Sequence, residues 1–481
     1  SVIRYAGLAG AVLLAVAGFL GGALPTMHVR VTPVSVWRGA HGPEIILAWF
    51  AGTALMVGAW WAARRGVPST RWAAVTIALW LLPFLLTPPM GSRDVYAYAC
   101  QGAVMSAGHD PYHEGVSALP CPWLDSVSPI WQGTPAPYGP LGVLVAGWVV
   151  AGTGTLVAAI VAFRVVAVAG VLLAALSLPV LARRCGVPAG RALWLALACP
   201  LVGLHLAAGA HNDAVMVGLM LAGLAVVAAR PGRPWPLLAG GLLLGLAASV
   251  KIVAGVLVPF AALAAVAGVG AATGYPWRRL LRDGGLVVVG ALASAVGVAA
   301  GSGLGMGWVA GLSHSGDSVQ WTSPPTAVGL TVGYLERPFH AHWSALPLTR
   351  GIALVLLLVV LGYLWWRAWY GRPLYFAGLA LAATLALGPV FHPWYATWPL
   401  AVLAATTLET GWIVGICAAA SFLVLPDGTG LARFSKAPGS ILMAVLAIVV
   451  AVRLVRRAVE RGRPGPEPAT EPAQEPAASG A

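Results

Sequence analysis

The chain is 481 residues long, 59% hydrophobic and only 9% charged, where a soluble domain of ordinary composition carries about 25% charged residues. That excludes a cytosolic enzyme and points to an all-α polytopic membrane protein. The net charge of +13 lies in short arginine clusters between apolar runs, as loops on the cytoplasmic side of a bilayer require, so no nucleic-acid partner is expected. Five cysteines without closely spaced Cys/His pairs exclude a zinc-held fold or a disulfide framework.

Arg4 precedes an apolar run from Tyr5 to Leu24, too long for a signal-peptide core and without a small-x-small cleavage pattern, and this run reads as the first span. Runs at about 44 to 62 and 72 to 86 follow, then a long polar segment, 87 to 154. Further runs lie at about 155 to 181, 192 to 209, 213 to 229, 235 to 250, 252 to 270 and 284 to 304. The last five fall at about 350 to 366, 373 to 390, 394 to 408, 411 to 425 and 439 to 457. The expected total is about fourteen spans of ~20 residues, with a large loop after the third. The stretch 139 to 152 is too short to cross, and is either re-entrant or interfacial.

Alternate loops are basic: Arg64, Arg65 and Arg71; Arg183, Arg184 and Arg191; Arg230 and Arg233; Arg278, Arg279 and Arg282; Arg367 and Arg372; and the run from Arg453 to Arg463. The positive-inside rule places these in the cytoplasm. The loops 27 to 43, 87 to 154, 305 to 348, 391 to 395 and 426 to 438 then face outward, and all ten histidines lie on that side or near the outer ends of spans. Residues 1 to 463 are expected to form a single polytopic membrane domain, with 87 to 154 and 305 to 348 on its active-site side. The Pro, Glu and Ala-rich tail, 464 to 481, has nothing to bury and is expected to be a disordered cytoplasmic tail.

Only fifteen residues are acidic, so an outward-facing carboxylate catalyst is one of nine: Glu44, Asp94, Asp110, Glu114, Asp125, Asp213, Asp317, Glu336 or Asp427. Asp94, in Ser92-Arg93-Asp94-Val95-Tyr96, sits at a helix start after the third span, with Ser92 as N-cap and Tyr98 and Gln101 following on its face. It either caps an interfacial helix or serves as a base, and its tyrosine and arginine neighbours favour the second. Asp110, between Gly108-His109 and Pro111-Tyr112, looks like a turn residue. Asp213 in His211-Asn212-Asp213 is balanced between capping the next helix and binding a ligand. Lys251 interrupts an apolar stretch and either snorkels or meets an anion. His392 and the neighbouring Trp394 and Tyr395 flank Pro393 in a rigid interfacial turn. Trp321, in Gln320-Trp321-Thr322-Ser323, suits sugar stacking or an ordinary rigid loop. Cys100 and Cys121 share the large outer loop, in a compartment that permits disulfides, and the sequence leaves open whether they bond.

The ordered motifs Ser92-Arg93-Asp94-Val95-Tyr96, Gly108-His109-Asp110-Pro111-Tyr112, Tyr138-Gly139-Pro140-Leu141, His211-Asn212-Asp213-Ala214 and Phe391-His392-Pro393-Trp394-Tyr395 resemble one family, the actinobacterial polyprenol-phosphomannose-dependent alpha-1,6-mannosyltransferases. The resemblance runs from Ser92 to Pro399. It implies a GT-C glycosyltransferase fold, a polyprenyl-phosphate-linked mannose donor, and a mannosylated glycolipid acceptor of the lipomannan type. The enzyme would then be a multi-pass protein of the plasma membrane, among membrane lipids, with its active site on the extracytoplasmic face.

The position matching the family's catalytic acid is Asp94. Its neighbour is Arg93 rather than a second acid, so metal-independent inverting transfer without a cofactor is expected. Arg93, Lys251, His211 and His392 are the candidates for the leaving phosphate. Tyr98, Asp110, Tyr112, Asn212, Asp213, Trp321, Trp394 and Tyr395 are those for sugar or acceptor. The same motifs fit a GT-C transferase of another sugar or acceptor in the same envelope pathway. A lipid-linked sugar transporter or flippase is the rival of a different class, and it calls for an internal repeat and mid-membrane polar residues that the sequence does not show.

Overall fold

The computed structural model describes residues 1–25, 33–119, 121–266, 277–337 and 344–462; the tail expected at 464 to 481 lies outside them. Among the described residues every regular element is helical, and one isolated bridge joins Val424 to Gly430. A lipid solvent demands this, because backbone N–H and C=O groups without water must be satisfied within their own segment.

Six helices are long and apolar enough to cross a bilayer: Val2–Gly21, Gly42–Ala62, Leu156–Arg184, Trp277–Gly301, Leu346–Trp369 and Lys436–Arg453. Local chemistry sets their ends. Thr155 accepts the Ala158 N–H to open Leu156–Arg184, and Arg183 and Arg184 occupy its last turn, where the dipole favours cations. Along that helix Val157, Val165, Leu172 and Leu176 remain exposed, the lipid-facing stripe of a span. Other expected runs fold as apolar helices of 10–17 residues, among them Thr70–Leu86, Asp213–Ala229, Pro234–Val250 and Pro373–Leu387. Even seventeen residues reach only roughly 26 Å at 1.5 Å each. The structure is that of a multi-pass membrane protein, and the count of fourteen remains an expectation.

Two runs differ from a simple span. The stretch 192 to 209 is not one helix: Ala189–Leu197 and the π-helical turn Val202–Ala208 meet at 70°, because Pro200 between them has no N–H to continue the ladder. The run expected at 235 to 250 ends where expected, but the next, from 252, does not open as a regular helix. Helix Pro234–Val250 stops at Lys251, which is extended at φ −144° and ψ 126°, and a 3₁₀ turn, Ile252–Leu257, follows. The stretch around 139 to 152 forms the short helix Pro140–Ala151, packed beside helix Asp94–Ser106.

The largest buried cluster runs from Ala11 to Leu425 and draws on helices from both ends of the chain. Tryptophans tie it together by burying their rings and donating N–H to carbonyls: Trp80 to Arg4 at 2.8 Å, Trp194 to Trp60 at 3.0 Å and Trp49 to Val424 at 2.8 Å. Glycines permit the closest approaches. A Cβ on Gly170 would stand 2.3 Å from the Ala214 carbonyl oxygen, so helix Leu156–Arg184 lies directly against the start of helix Asp213–Ala229. One on Gly139 would stand 2.3 Å from the Ser249 oxygen, and the Gly139 N–H donates to Val250 at 3.0 Å. These two contacts bring Tyr138 and Asp213 to Lys251.

Candidate active site

Helix Asp94–Ser106 starts one residue later than a Ser92 cap implies. Arg93 holds the cap position, and Ser92 Oγ instead accepts the Asp94 N–H at 3.0 Å. The Asp94 carboxylate is 15% exposed and lines a cavity of about 700 Å³. The walls come from segments distant in sequence: Gly91 to Asp94, Ser128 to Trp131, Asp317 to Thr322, His392 to Trp394, and Leu423 to Lys436. The loops expected on one side of the membrane thus converge on a single cavity. The turn 426 to 430 docks directly on the Asp94 loop, the Gly91 N–H donating to Pro426 at 2.9 Å.

Behind Asp94 runs a line of polar and ionisable side chains. His211 Nδ1 lies 3.6 Å from Asp94 Oδ2 and 3.6 Å from Asp213 Oδ2. Asp213 is fully buried; its Oδ2 accepts from Lys251 Nζ at 2.7 Å, and its Oδ1 from Trp398 Nε1 at 2.8 Å. Lys251 Nζ stands 5.0 Å from the Tyr395 ring centroid, 5.5 Å from Tyr138 and 5.6 Å from Trp398. Its ammonium is held by a carboxylate and three aromatic faces, so it does not snorkel. Asp213, at the first position of its helix, makes no capping bond there. Its carboxylate serves the ion pair.

The expected phosphate ligands divide accordingly. Lys251 and His211 do not line the large cavity, the first being paired with Asp213 and the second fully buried. Arg93 lines it, but its guanidinium donates to the Ser126 carbonyl at 3.0 Å and to Leu24 at 3.1 Å, fastening the end of the first helix to the loop. His392 also lines it, stacked on Trp394 with centroids 4.8 Å apart. Burial pushes the His392 imidazole down to about 4, against the pull of Asp94 and with Lys251 adding to the drop. It is therefore neutral at pH 7, a hydrogen-bonding group rather than a cation.

The expected sugar and acceptor residues separate as well. Trp394 lines the cavity; Tyr395 stacks on Trp398 at 4.1 Å and belongs to the aromatic cage around Lys251. Tyr98 and Asn212 line a smaller apolar pocket on the other side of His211. Asp110 forms the turn its sequence suggested, accepting the Tyr112 N–H at 2.8 Å and pairing with His113 at 2.8 Å, while the Tyr112 hydroxyl donates to the Tyr138 carbonyl at 2.9 Å. Neither lines the cavity. Trp321 is also structural: its indole N–H donates to Ala432 at 2.9 Å and its ring packs against Gly439. Cys100 and Cys121 are joined in a disulfide that ties helix Asp94–Ser106 to its loop. Among the described residues no three His, Cys, Asp or Glu side chains gather as metal ligands.

Several site residues were not singled out by sequence reasoning. His205, on the π-helical turn, is fully buried, 4.9 Å from Trp394 and 5.9 Å from His211 between ring centroids. Arg164 donates to the carbonyls of Leu85 at 3.0 Å and Ala208 at 2.8 Å, anchoring the turn that carries the two histidines. A histidine and an arginine inside apolar runs were the available signals. Arg433 and Lys436 are exposed cations in the cavity wall, and their signal was positive charge in a loop where the positive-inside rule asks for none. Trp398 had no signal that distinguished it from the other tryptophans.

Comparison with known proteins gives two family matches. Residues 4–267 match "Alpha-(1->6)-mannopyranosyltransferase, N-terminal domain", and residues 325–456 match "MptB C-terminal domain". The chain is 34% identical to alpha-(1->6)-mannopyranosyltransferase A of Mycobacterium tuberculosis, over 88% of this chain and 84% of that protein. It is 33% identical to a probable alpha-(1->6)-mannopyranosyltransferase of Mycolicibacterium smegmatis, over 85% and 79%. It is 29% identical to alpha-(1->6)-mannopyranosyltransferase B of Corynebacterium glutamicum, over 89% and 77%. No solved structure matches.

Proposed function

The chain belongs to the alpha-(1->6)-mannopyranosyltransferase family, and from that membership and the cavity around Asp94 we propose that it transfers mannose from a polyprenyl-phosphate donor to a growing alpha-1,6-mannan chain of a lipomannan-type glycolipid, on the extracytoplasmic face of the plasma membrane. The architecture we assign to it is of the GT-C type. The observation that carries the reading is the Asp94 carboxylate, at a helix N-terminus and open to a cavity of about 700 Å³.

In this reaction the acceptor hydroxyl oxygen bonds to the anomeric carbon as the bond from that carbon to the phosphate oxygen breaks. The hydroxyl proton passes to Asp94, and polyprenyl phosphate leaves with the electron pair. A beta-linked donor then gives an alpha product by inversion. Negative charge grows on the departing phosphate, and the exposed cations of the cavity wall, Arg433 and Lys436, are suited to receive it. Trp394 and His392, stacked in the same wall, offer an apolar face and a neutral hydrogen-bonding group to the sugar.

Purified protein with labelled polyprenyl phosphomannose and a short alpha-1,6-mannoside is expected to yield the elongated mannoside, with product linkage read by NMR. Asp94→Asn is expected to lower transfer by roughly a hundredfold to ten-thousandfold while donor binding is kept. Near-parental transfer by folded Asp94→Asn overturns the assignment of the base. Movement of the lipid-linked sugar across vesicles without a new glycosidic bond overturns the enzyme reading.

A further inference from the structure

The line Asp94, His211, Asp213, Lys251 contains one group whose place the reaction does not yet explain. His211 is fully buried, its Nδ1 is equidistant at 3.6 Å from two carboxylates, and it lies outside the substrate cavity. A ring nitrogen facing two anions must carry its proton toward them, since a lone pair there would repel both. At 3.6 Å neither carboxylate is hydrogen-bonded to it, and the nitrogen has no other hydrogen-bond partner. Its N–H therefore points between Asp94, open to the cavity, and Asp213, whose charge Lys251 already balances at 2.7 Å, at a distance from which a small shift makes a hydrogen bond to either.

We propose that His211 is a positioning residue that orients and tunes Asp94, and that the Asp213–Lys251 pair sets how much of the imidazole N–H Asp94 receives. The inference rests on the reading of Asp94 as the base. The pair makes His211 a weak donor to Asp94: enough to hold one carboxylate oxygen inward and leave the other to the cavity, too little to abolish basicity.

Other titratable and charged groups face this line. From helix Asp94–Ser106 comes Tyr98, and from the segment ahead of helix Pro140–Ala151 comes Tyr138; both lie within the electrostatic reach of Asp94 and Asp213. From the 391 to 396 turn come His392 and Tyr395, and from the π-helical turn comes His205. Arg93 precedes Asp94 and is engaged with backbone carbonyls. All of these stay in place in the variants below, so a change in the pH profile reports on His211 itself.

The test is the acid limb of kcat/KM against pH, measured on the full chain in detergent with polyprenyl phosphomannose. His211→Phe removes the donor from the ionised carboxylate, so the limb is expected to move to higher pH by about one unit. His211→Gln restores an N–H donor and is expected to move the limb back toward the parent. The double variant Asp213→Asn, Lys251→Met leaves His211 without its competing carboxylate, so the N–H goes to Asp94 and the limb is expected to move to lower pH. Opposite shifts, with the second abolished when His211→Phe is added to the double variant, are something a purely structural histidine cannot produce, whereas removal of the Asp213 charge alone would lower the limb with or without the imidazole.

If His211→Phe does not fold, the double variant with and without His211→Gln carries the test. Folded variants that bind donor, lose rate and keep the parental limb overturn the proposal. Should Asp94→Asn itself transfer normally, the assigned base is wrong, and that failure is seen separately.

Discussion

A lysine enclosed by Tyr138, Tyr395 and Trp398 persists only with a counter-charge, and Asp213 supplies it at 2.7 Å. Lys251→Met alone strands a fully buried carboxylate and is expected to destabilise the protein by about 3 to 5 kcal/mol. Adding Asp213→Asn removes the stranded charge and is expected to recover most of that loss in thermal unfolding. A double variant as unstable as the sum of the singles would show that the two do not interact. His392 gives a pH signature. Its ordinary value is 6.5 and burial lowers it to about 4 in the folded protein, so the unfolded chain binds the proton first as pH falls. The neutral ring's contribution is full above about 6.5 and is lost between there and about 4. Melting temperature across that window is expected to fall less steeply in His392→Gln than in the parent; equal slopes would refute it. The sequence identified Asp94, Asp213, Lys251 and His392 because polar groups beside apolar spans stand out. It did not show that Asp213 and Lys251, thirty-eight positions apart, neutralise one another, nor which carbonyls take up Arg93, since those partners exist only in three dimensions.

Among the elements, the loop after helix Asp94–Ser106 is held by the bond between Cys100 and Cys121. Denatured, non-reduced protein is expected to label at three thiols, Cys185, Cys199 and Cys417, and at five after reduction; five without reductant would disprove the bond. Cys100→Ser with Cys121→Ser is expected to lose about 3 kcal/mol, the order of the chain entropy such a short closure removes. Gly139 marks another constraint. A side chain there collides with the Ser249 carbonyl at 2.3 Å, so Gly139→Val is expected to shift Tyr138 from Lys251 and reduce transfer severalfold; unchanged rates with intact folding would show that this contact does not govern the site. The apolar runs beginning near 155 and 139 were legible from hydropathy, and the structure adds what opens their helices, Thr155 as N-cap and Pro140 at the first position. The break at Pro200 sat inside an apolar run, where hydropathy sees only length. That break presents His205 and His211 to Trp394.

At the scale of the whole molecule, the alternation of arginine clusters predicts that reporter fusions after Arg65, Arg184, Arg233 and Arg279 read as cytoplasmic and those near Pro120 and Pro325 as external. One inverted pair would separate loops that the cavity unites. Membrane character was legible because it follows from composition and hydropathy. The crossing count was not, because hydropathy does not distinguish a bilayer-length helix from a 15-residue one such as Pro373–Leu387. The cavity draws Asp94 and the segment 128 to 131 from the half matched over 4–267, and draws 391 to 394 and 423 to 436 from the half matched over 325–456. The carboxylate proposed as the base and the opposing wall thus lie in separately matched segments. Inheritance can conserve the bond-making chemistry in one half while retuning which glycan fits in the other, and chimeras that exchange the later half between relatives are the natural place to look for altered chain length with unaltered linkage.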